Sequence, residues 1–119
     1  MTREIITLCG STKFMKEFKM VERALTLDGK IPLPPAIYGK TEKLEYPPEL
    51  EKHLFELHLD KIRISDGIFV IDPDGRLGDS TTKEIAFAKD NGKPVQYYSK
   101  EAENILKKNE TLDALKKRK

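Results

Sequence analysis

Two short apolar runs constrain this chain more than any other feature: Ile5-Ile6-Thr7-Leu8-Cys9 and Gly67-Ile68-Phe69-Val70-Ile71. A strand with one wet face alternates apolar and polar residues. These runs offer solvent almost nothing, so both of their faces must be covered, as happens in a parallel sheet flanked by helices. Each run ends at a turn signal, Gly10 in the first case and Asp72-Pro73-Asp74-Gly75 in the second, and a helical pattern follows each.

The intervening segments complete a strand–helix alternation. Ser11 can cap a helix whose apolar stripe is Phe14, Phe18, Val21 and Leu25 and which stops at Asp28-Gly29. Lys30 to Leu33 reads as a short second strand closed by Pro34-Pro35, and the Pro-, Gly- and Tyr-rich stretch as far as Pro48 reads as a long loop. From Glu49 the positions Leu50, Leu54, Leu57 and Ile64 predict a second long helix that ends at Ser65. A third helix is expected from about Thr81 to Asp90, terminated by Asn91-Gly92, then a fourth strand from Val95 to Tyr98 and a charged C-terminal helix. The order βαβαβαβα implies parallel strands and right-handed crossovers. The expected fold class is therefore α/β: a small doubly wound, flavodoxin- or Rossmann-like parallel sheet of four to five strands with helices on both faces.

Length and composition set the outer limits. The 119 residues fit one domain spanning residues 1–119, and 38% hydrophobic with 35% charged residues describes a chain that folds and stays soluble. The net charge of +2 owes much to Lys116, Lys117, Arg118 and Lys119, which read as a solvated tail rather than a nucleic-acid arm. A single cysteine, Cys9, cannot make an internal disulfide, and no Cys/His cluster has zinc-ligand spacing, so no metal or other cofactor is expected. Met1 to Glu4 lead directly into a strand with no apolar leader or membrane span, which points to the cytoplasm.

Ligands of doubly wound sheets bind beyond the carboxyl ends of the strands at the topological switch point. The expected cleft therefore lies between the first strand and the Gly67–Ile71 strand. It would be bounded by Gly10 to Phe14, the Pro34–Pro48 loop, Asp72 to Glu84, and the end of strand four. Several uses of this architecture are excluded by the first loop, Cys9-Gly10-Ser11-Thr12-Lys13-Phe14. Gly10 is the only glycine between Met1 and Gly29, so neither a P-loop nor a dinucleotide fingerprint is present. Met15 stands where a cysteine phosphatase has its phosphate-clamping arginine, and a phospho-receiver would end this strand in acidic residues. Cys9 itself reads as a buried strand residue. Gly10, Ser11 and Thr12 instead offer an unobstructed turn, two hydroxyls and the N–H groups of a helix start, suited to a phosphate or sugar hydroxyl, with Lys13 adding charge; the alternative is that Gly10 makes the turn and Ser11 caps the helix. Glu84 is likewise open to two readings, because Thr81 and Glu84 fit a capping box while the same spacing aims a carboxylate at the cleft.

Three segments together, C-G-S-T-K-F after the first strand, S-D-G-I-F-V-I-D through the third, and L-G-D-S-T-T-K-E-I-A-F-A opening the next helix, resemble the nucleoside 2-deoxyribosyltransferase family over about residues 5–98. The family includes relatives that hydrolyse deoxynucleoside 5′-monophosphates. The resemblance implies that Glu84 attacks the anomeric carbon of the sugar, giving a glycosyl-enzyme ester that water or a second base resolves. The departing base needs a proton or a hydrogen-bond donor, and His58 and Asp79 are the candidates. His58 stands where the better-known relatives carry an aspartate, and it also fits a packing row with Leu54 and Ile62. Asp66 and Asp72 flank the third strand and both count among the candidate substrate-binding residues, Asp72 at the carboxyl end of the strand facing the cleft and Asp66 resembling a family aspartate that more readily fixes loops than touches substrate. Gly78, Asp79 and Ser80 reach towards sugar hydroxyls or phosphate, with helix capping as the alternative for Ser80. Tyr38 and Tyr46 in the long loop supply rings to stack on a nucleobase. Family transferases complete their pocket with polar C-terminal residues of a neighbouring subunit, whereas this chain ends in a basic helix, which favours a nucleotide hydrolase. The partners expected are a nucleoside or nucleotide substrate and a second copy of the chain in a homodimer. The competing expectation is a non-catalytic nucleotide-binding module of the same fold.

Overall fold

In a computed structural model describing residues 2–116, the chain forms a four-stranded, all-parallel sheet of order β2-β1-β3-β4. The strands are β1 (Ile5–Gly10), β2 (Ile31–Leu33), β3 (Gly67–Ile71) and β4 (Val95–Tyr97). The helices are α1 (Met15–Leu27), α2 (Gly39–Glu42), α3 (Pro48–Ile64), α4 (Asp79–Asp90) and α5 (Tyr98–Asp113). The α/β doubly wound architecture expected from the sequence is the one observed. Lys117, Arg118 and Lys119 of the basic tail lie outside the described residues. No helix among the described residues is long and apolar enough to cross a membrane.

The apolar runs explain the layering. Alternate residues of β1 and β3 point to opposite faces, and the register aligns Leu8 with Phe69 and Cys9 with Val70. Ile6, Leu8, Phe69 and Ile71 pack with Phe18, Val21, Ala24 and Leu25 of α1 and Ile105 of α5. Cys9, Ile68 and Val70 pack on the other face with Ile62 of α3 and Ile85 and Ala88 of α4. Every residue of β3 is buried, which is why its sequence shows no polar alternation.

The chain leaves β1 for β2 on one side and returns to β3 on the other, so the switch point falls between β1 and β3. Gly10 closes β1 there with φ of +152°. A Cβ at this position would lie 2.8 Å from the Ile71 carbonyl oxygen, so the two strand ends approach closely only because residue 10 is glycine.

Four local features differ from the sequence expectation. A single 3-10 turn, Thr12–Phe14, precedes α1, and the Ser11 side chain accepts a hydrogen bond from the Lys13 N–H at the start of that turn. The long loop contains α2, whose Gly-Lys-Thr-Glu sequence carries no apolar periodicity; it is held by the Lys40 N–H on Thr12 Oγ1 and by Thr41 Oγ1 donating to the Thr12 carbonyl. Tyr98 begins α5 rather than ending β4. Finally α4 starts at Asp79, with Gly78 at its N-cap. Thr81 and Glu84 therefore fall inside the helix, out of register for a capping box, and Ser80 is not the N-cap.

Candidate active site: a buried carboxylate beneath a switch-point cleft

A cleft of about 820 Å³ opens where the switch point places it. Gly10 and Thr12 border it from the first loop, Pro35 to Ile37, Gly39, Lys40 and Tyr46 from the second, Leu54, Phe55, His58 and Lys61 from α3, and Ser80 and Glu84 from α4. The wall supplied by α3 replaces the end of β4, which sequence reasoning had placed here; β4 is the edge strand and runs straight into α5. Most of the wall is apolar, which suits a flat heterocycle or a sugar face.

Glu84 is the chemical focus. The α4 start at Asp79 puts it in the second turn of the helix, 7% exposed, with its carboxyl at the cleft floor. His58 Nε2 lies 3.5 Å from Glu84 Oε1 and 3.2 Å from Cys9 Sγ, so three groups from β1, α3 and α4 converge beneath the cleft. Burial in the apolar surroundings pushes the Glu84 carboxyl up to about 7, partly opposed by hydrogen bonding with the Cys9 thiol. Burial, reinforced by the nearby Lys61 ammonium, lowers His58 to about 4. Burial also raises the Cys9 thiol, and the Glu84 carboxylate adds to that rise. Near neutral pH the cluster thus holds a neutral imidazole, a thiol, and a carboxyl poised between its acid and its base. A carboxyl so poised can attack an electrophilic carbon when ionised and donate a proton when not.

The remaining expected site residues divide clearly. Gly10, Thr12, His58, Ser80, Glu84 and Tyr46 border the cleft. Thr12 also holds α2 through the two contacts described above. Ser11 accepts from the Lys13 N–H, and Lys13 is exposed with its ammonium over the Phe14 ring. Gly78 accepts the Thr82 N–H and hydroxyl at the start of α4, while Asp79 is exposed and outside the cleft lining. Asp66 accepts the Ile5 N–H at the amino end of the sheet, far along the strand from the cleft.

Two expectations need correction. Tyr38 does not offer a stacking surface: it is 5% exposed in the core, edge-on to Phe18 with 5.7 Å between ring centroids. Of the two loop tyrosines, Tyr46 borders the cleft, and its hydroxyl occupies the space a Cβ at Gly39 would fill. Asp72 does not face a ligand either; its two oxygens accept the Ser99 N–H and hydroxyl at 2.9 and 2.8 Å, anchoring the start of α5. Sequence reasoning had also assigned Cys9 to packing alone. Its contact with His58 joins residues 49 positions apart, a pairing no local pattern announces. Lys61 was missed as well: it donates to the Pro34 carbonyl at 3.1 Å and so ties α3 to the loop forming the opposite wall. No protein-family model and no curated protein matches the chain, so a functional reading has to rest on the cleft and the sequence motifs around it.

Proposed function

We propose that the protein cleaves the N-glycosidic bond of a nucleoside or, preferentially, a (deoxy)nucleoside 5′-monophosphate, with Glu84 as the nucleophile. The observation that carries this reading is the placement of Glu84: a carboxyl buried at the floor of an apolar switch-point cleft, outside any capping box. The resemblance of the Cys9–Phe14, Ser65–Asp72 and Leu77–Ala88 segments to nucleoside 2-deoxyribosyltransferases supports the same assignment.

In this mechanism the ionised Glu84 attacks C1′ as the bond to the base breaks through an oxocarbenium-like transition state, and the electron pair leaves with the base. Water, or a second base, then displaces the ester at C1′ and returns the carboxylate. His58 Nε2 lies 3.5 Å from the Glu84 carboxyl and, being neutral near pH 7, is a poor proton donor to the base. Asp79 is exposed at the first position of α4, so it would reach the base only by movement of the substrate or the helix start. Gly10, Thr12 and Ser80 border the cleft, and their backbone groups and hydroxyls suit the sugar hydroxyls and phosphate. The exposed row Leu50, Leu57 and Ile64 along α3, at 38%, 44% and 66% exposure, of which Leu57 and Ile64 also border the cleft, supports the homodimer included in this reading. Sedimentation showing monomer alone at micromolar concentration would remove that part of it.

The test is free-base release from a panel of nucleosides and their 5′-monophosphates, with and without an acceptor base, for the wild type and Glu84→Gln. Release by the wild type alone supports the mechanism, and its dependence on phosphate and acceptor separates hydrolase from transferase. Nucleotide binding with no release from any compound would favour a binding module.

A further inference from the structure

The Cys9–His58–Glu84 cluster has a second chemical capacity. Its three donor atoms, one thiol sulfur, one imidazole nitrogen and one carboxylate oxygen, lie within 4.8 Å of one another. The nitrogen–sulfur and nitrogen–oxygen separations are 3.2 and 3.5 Å. Zinc bonds of about 2.3 Å to sulfur and about 2.0–2.2 Å to nitrogen or oxygen, arranged tetrahedrally, place neighbouring donors about 3.3–3.6 Å apart. The two separations from the imidazole nitrogen match that requirement, and the sulfur–oxygen separation, within 4.8 Å, reaches it by a shift of at most about 1.5 Å, as side-chain rotation of Glu84 allows. The donors come from three elements, β1, α3 and α4, each fixed by packing on the sheet, so the ion would meet a preformed site rather than one it had to assemble.

We propose that Cys9 Sγ, His58 Nε2 and Glu84 Oε1 form a binding site for one borderline-soft divalent cation of the Zn²⁺ type, with its fourth position facing the cleft. A thiolate and an imidazole select such an ion over Mg²⁺ or Ca²⁺, which take oxygen donors. His58 and Glu84 border the cleft whereas Cys9 lies behind them, so the ion enters from the cleft and its open position stays there. Three protein ligands with one open position is the coordination of reactive rather than purely structural zinc sites. As the metal–sulfur bond forms, the Cys9 thiol releases its proton to solvent, and any proton on Glu84 leaves the same way.

The site stands on the geometry of the three donors and not on the glycosidase reading. Where that reading holds, the two uses of Glu84 exclude one another: a carboxylate oxygen committed to the ion cannot attack C1′. Zn²⁺ would then inhibit base release, and a chelator would restore it.

Chelator-treated protein titrated with Co²⁺ as a spectroscopic probe tests the site directly. The expected result is one equivalent bound, an intense thiolate-to-cobalt charge-transfer band, d–d absorption of tetrahedral intensity, and displacement of both by Zn²⁺. Cys9→Ala should abolish the charge-transfer band. His58→Asn and Glu84→Gln should keep that band but weaken binding by more than the roughly 10–100-fold that loss of an outer-shell partner costs. Asp60→Asn, which removes an exposed carboxylate at the cleft rim, should bind as the wild type does. Circular dichroism of each variant separates lost ligation from lost folding, and Glu84→Gln keeps the test valid if Cys9→Ala proves unstable. No charge-transfer band in the wild type, or equal affinity in the folded Glu84→Gln and His58→Asn variants, overturns the site. Because these readouts need no turnover, a protein that binds Co²⁺ in this way but releases no base even with chelator present refutes the glycosidase alone.

Discussion

Glu84→Gln makes the desolvation of the Glu84 carboxyl measurable as stability. Glutamine keeps the shape and stays neutral at every pH, so at low pH it matches the protonated wild-type side chain. In the unfolded chain the glutamate loses its proton around 4.5, whereas in the folded protein it holds the proton up to about 7. A carboxyl with a raised folded value favours the folded state below 4.5, and that advantage is lost as pH rises towards 7. At about 1.4 kcal/mol per pH unit, the wild type should lose about 3 kcal/mol relative to Glu84→Gln between pH 4.5 and 7, and no more above it. His58 behaves in the opposite sense, because its value falls from 6.5 to about 4 and its contribution is lost as pH falls through that window. The two slopes oppose each other in the wild type between 4.5 and 6.5, so its own stability is nearly flat there and only the variants expose the terms. Urea unfolding of wild type, Glu84→Gln and His58→Asn from pH 4 to 8, with chelator present, measures this through the midpoints. The Glu84→Gln advantage should grow with pH and the His58→Asn advantage should grow as pH falls. A constant offset for Glu84→Gln across the range would refute the desolvation of this carboxyl.

Three further substitutions check the frame around the site. Gly10→Ala should destabilise by about 1–3 kcal/mol from its φ alone, and by more through the clash with the Ile71 carbonyl; an unchanged urea midpoint would contradict the approach of β1 to β3. Asp72→Ala should cost about 1–3 kcal/mol by leaving the start of α5 without its acceptor, with the Michaelis constant for any substrate unchanged, whereas a raised constant in a stable variant would return Asp72 to the ligand. The Tyr38 hydroxyl is buried without a hydrogen-bond partner among the described residues, so Tyr38→Phe should be neutral or stabilising, while Tyr38→Ala should cost about 3–5 kcal/mol as a large core truncation does. Thermal or urea midpoints decide both, and a destabilised Tyr38→Phe would mean that the hydroxyl has a partner.

The fold was legible where burial dictates composition. β1 and β3 announce themselves because both faces are covered, and α1 because it buries one stripe; α3 was legible by its apolar spacing, although Leu50, Leu57 and Ile64 of that stripe are exposed and Ile62 is the buried residue. Elements made by tertiary contact were not legible: α2 exists because Thr12 receives Lys40 and Thr41, and Tyr98 turns helical because Asp72 accepts from Ser99. For the site, chain order locates the cleft, since the switch point follows from topology, and this brought Gly10, Thr12, Ser80 and Glu84 into view. The start of α4 was obscured by Thr81, which mimics a cap when the helix in fact begins after Gly78. Tyr38 and Tyr46 are equivalent by composition, and only packing assigns one to the core and the other to the cleft. The Cys9–His58 contact is a distance between strand and helix, and no spacing rule encodes it.

The central claim, that Glu84 carries N-glycosidic chemistry, is met most directly by the pH dependence of base release. The measurement is kcat/KM for the best-cleaved compound from pH 5 to 9, by chromatography, with chelator present and Glu84→Gln in parallel. A nucleophile that must be ionised predicts activity that rises with pH, has its midpoint near 7, reaches a plateau, and is absent from Glu84→Gln. Turnover retained in Glu84→Gln, or a flat profile across this range in the wild type, would contradict the account.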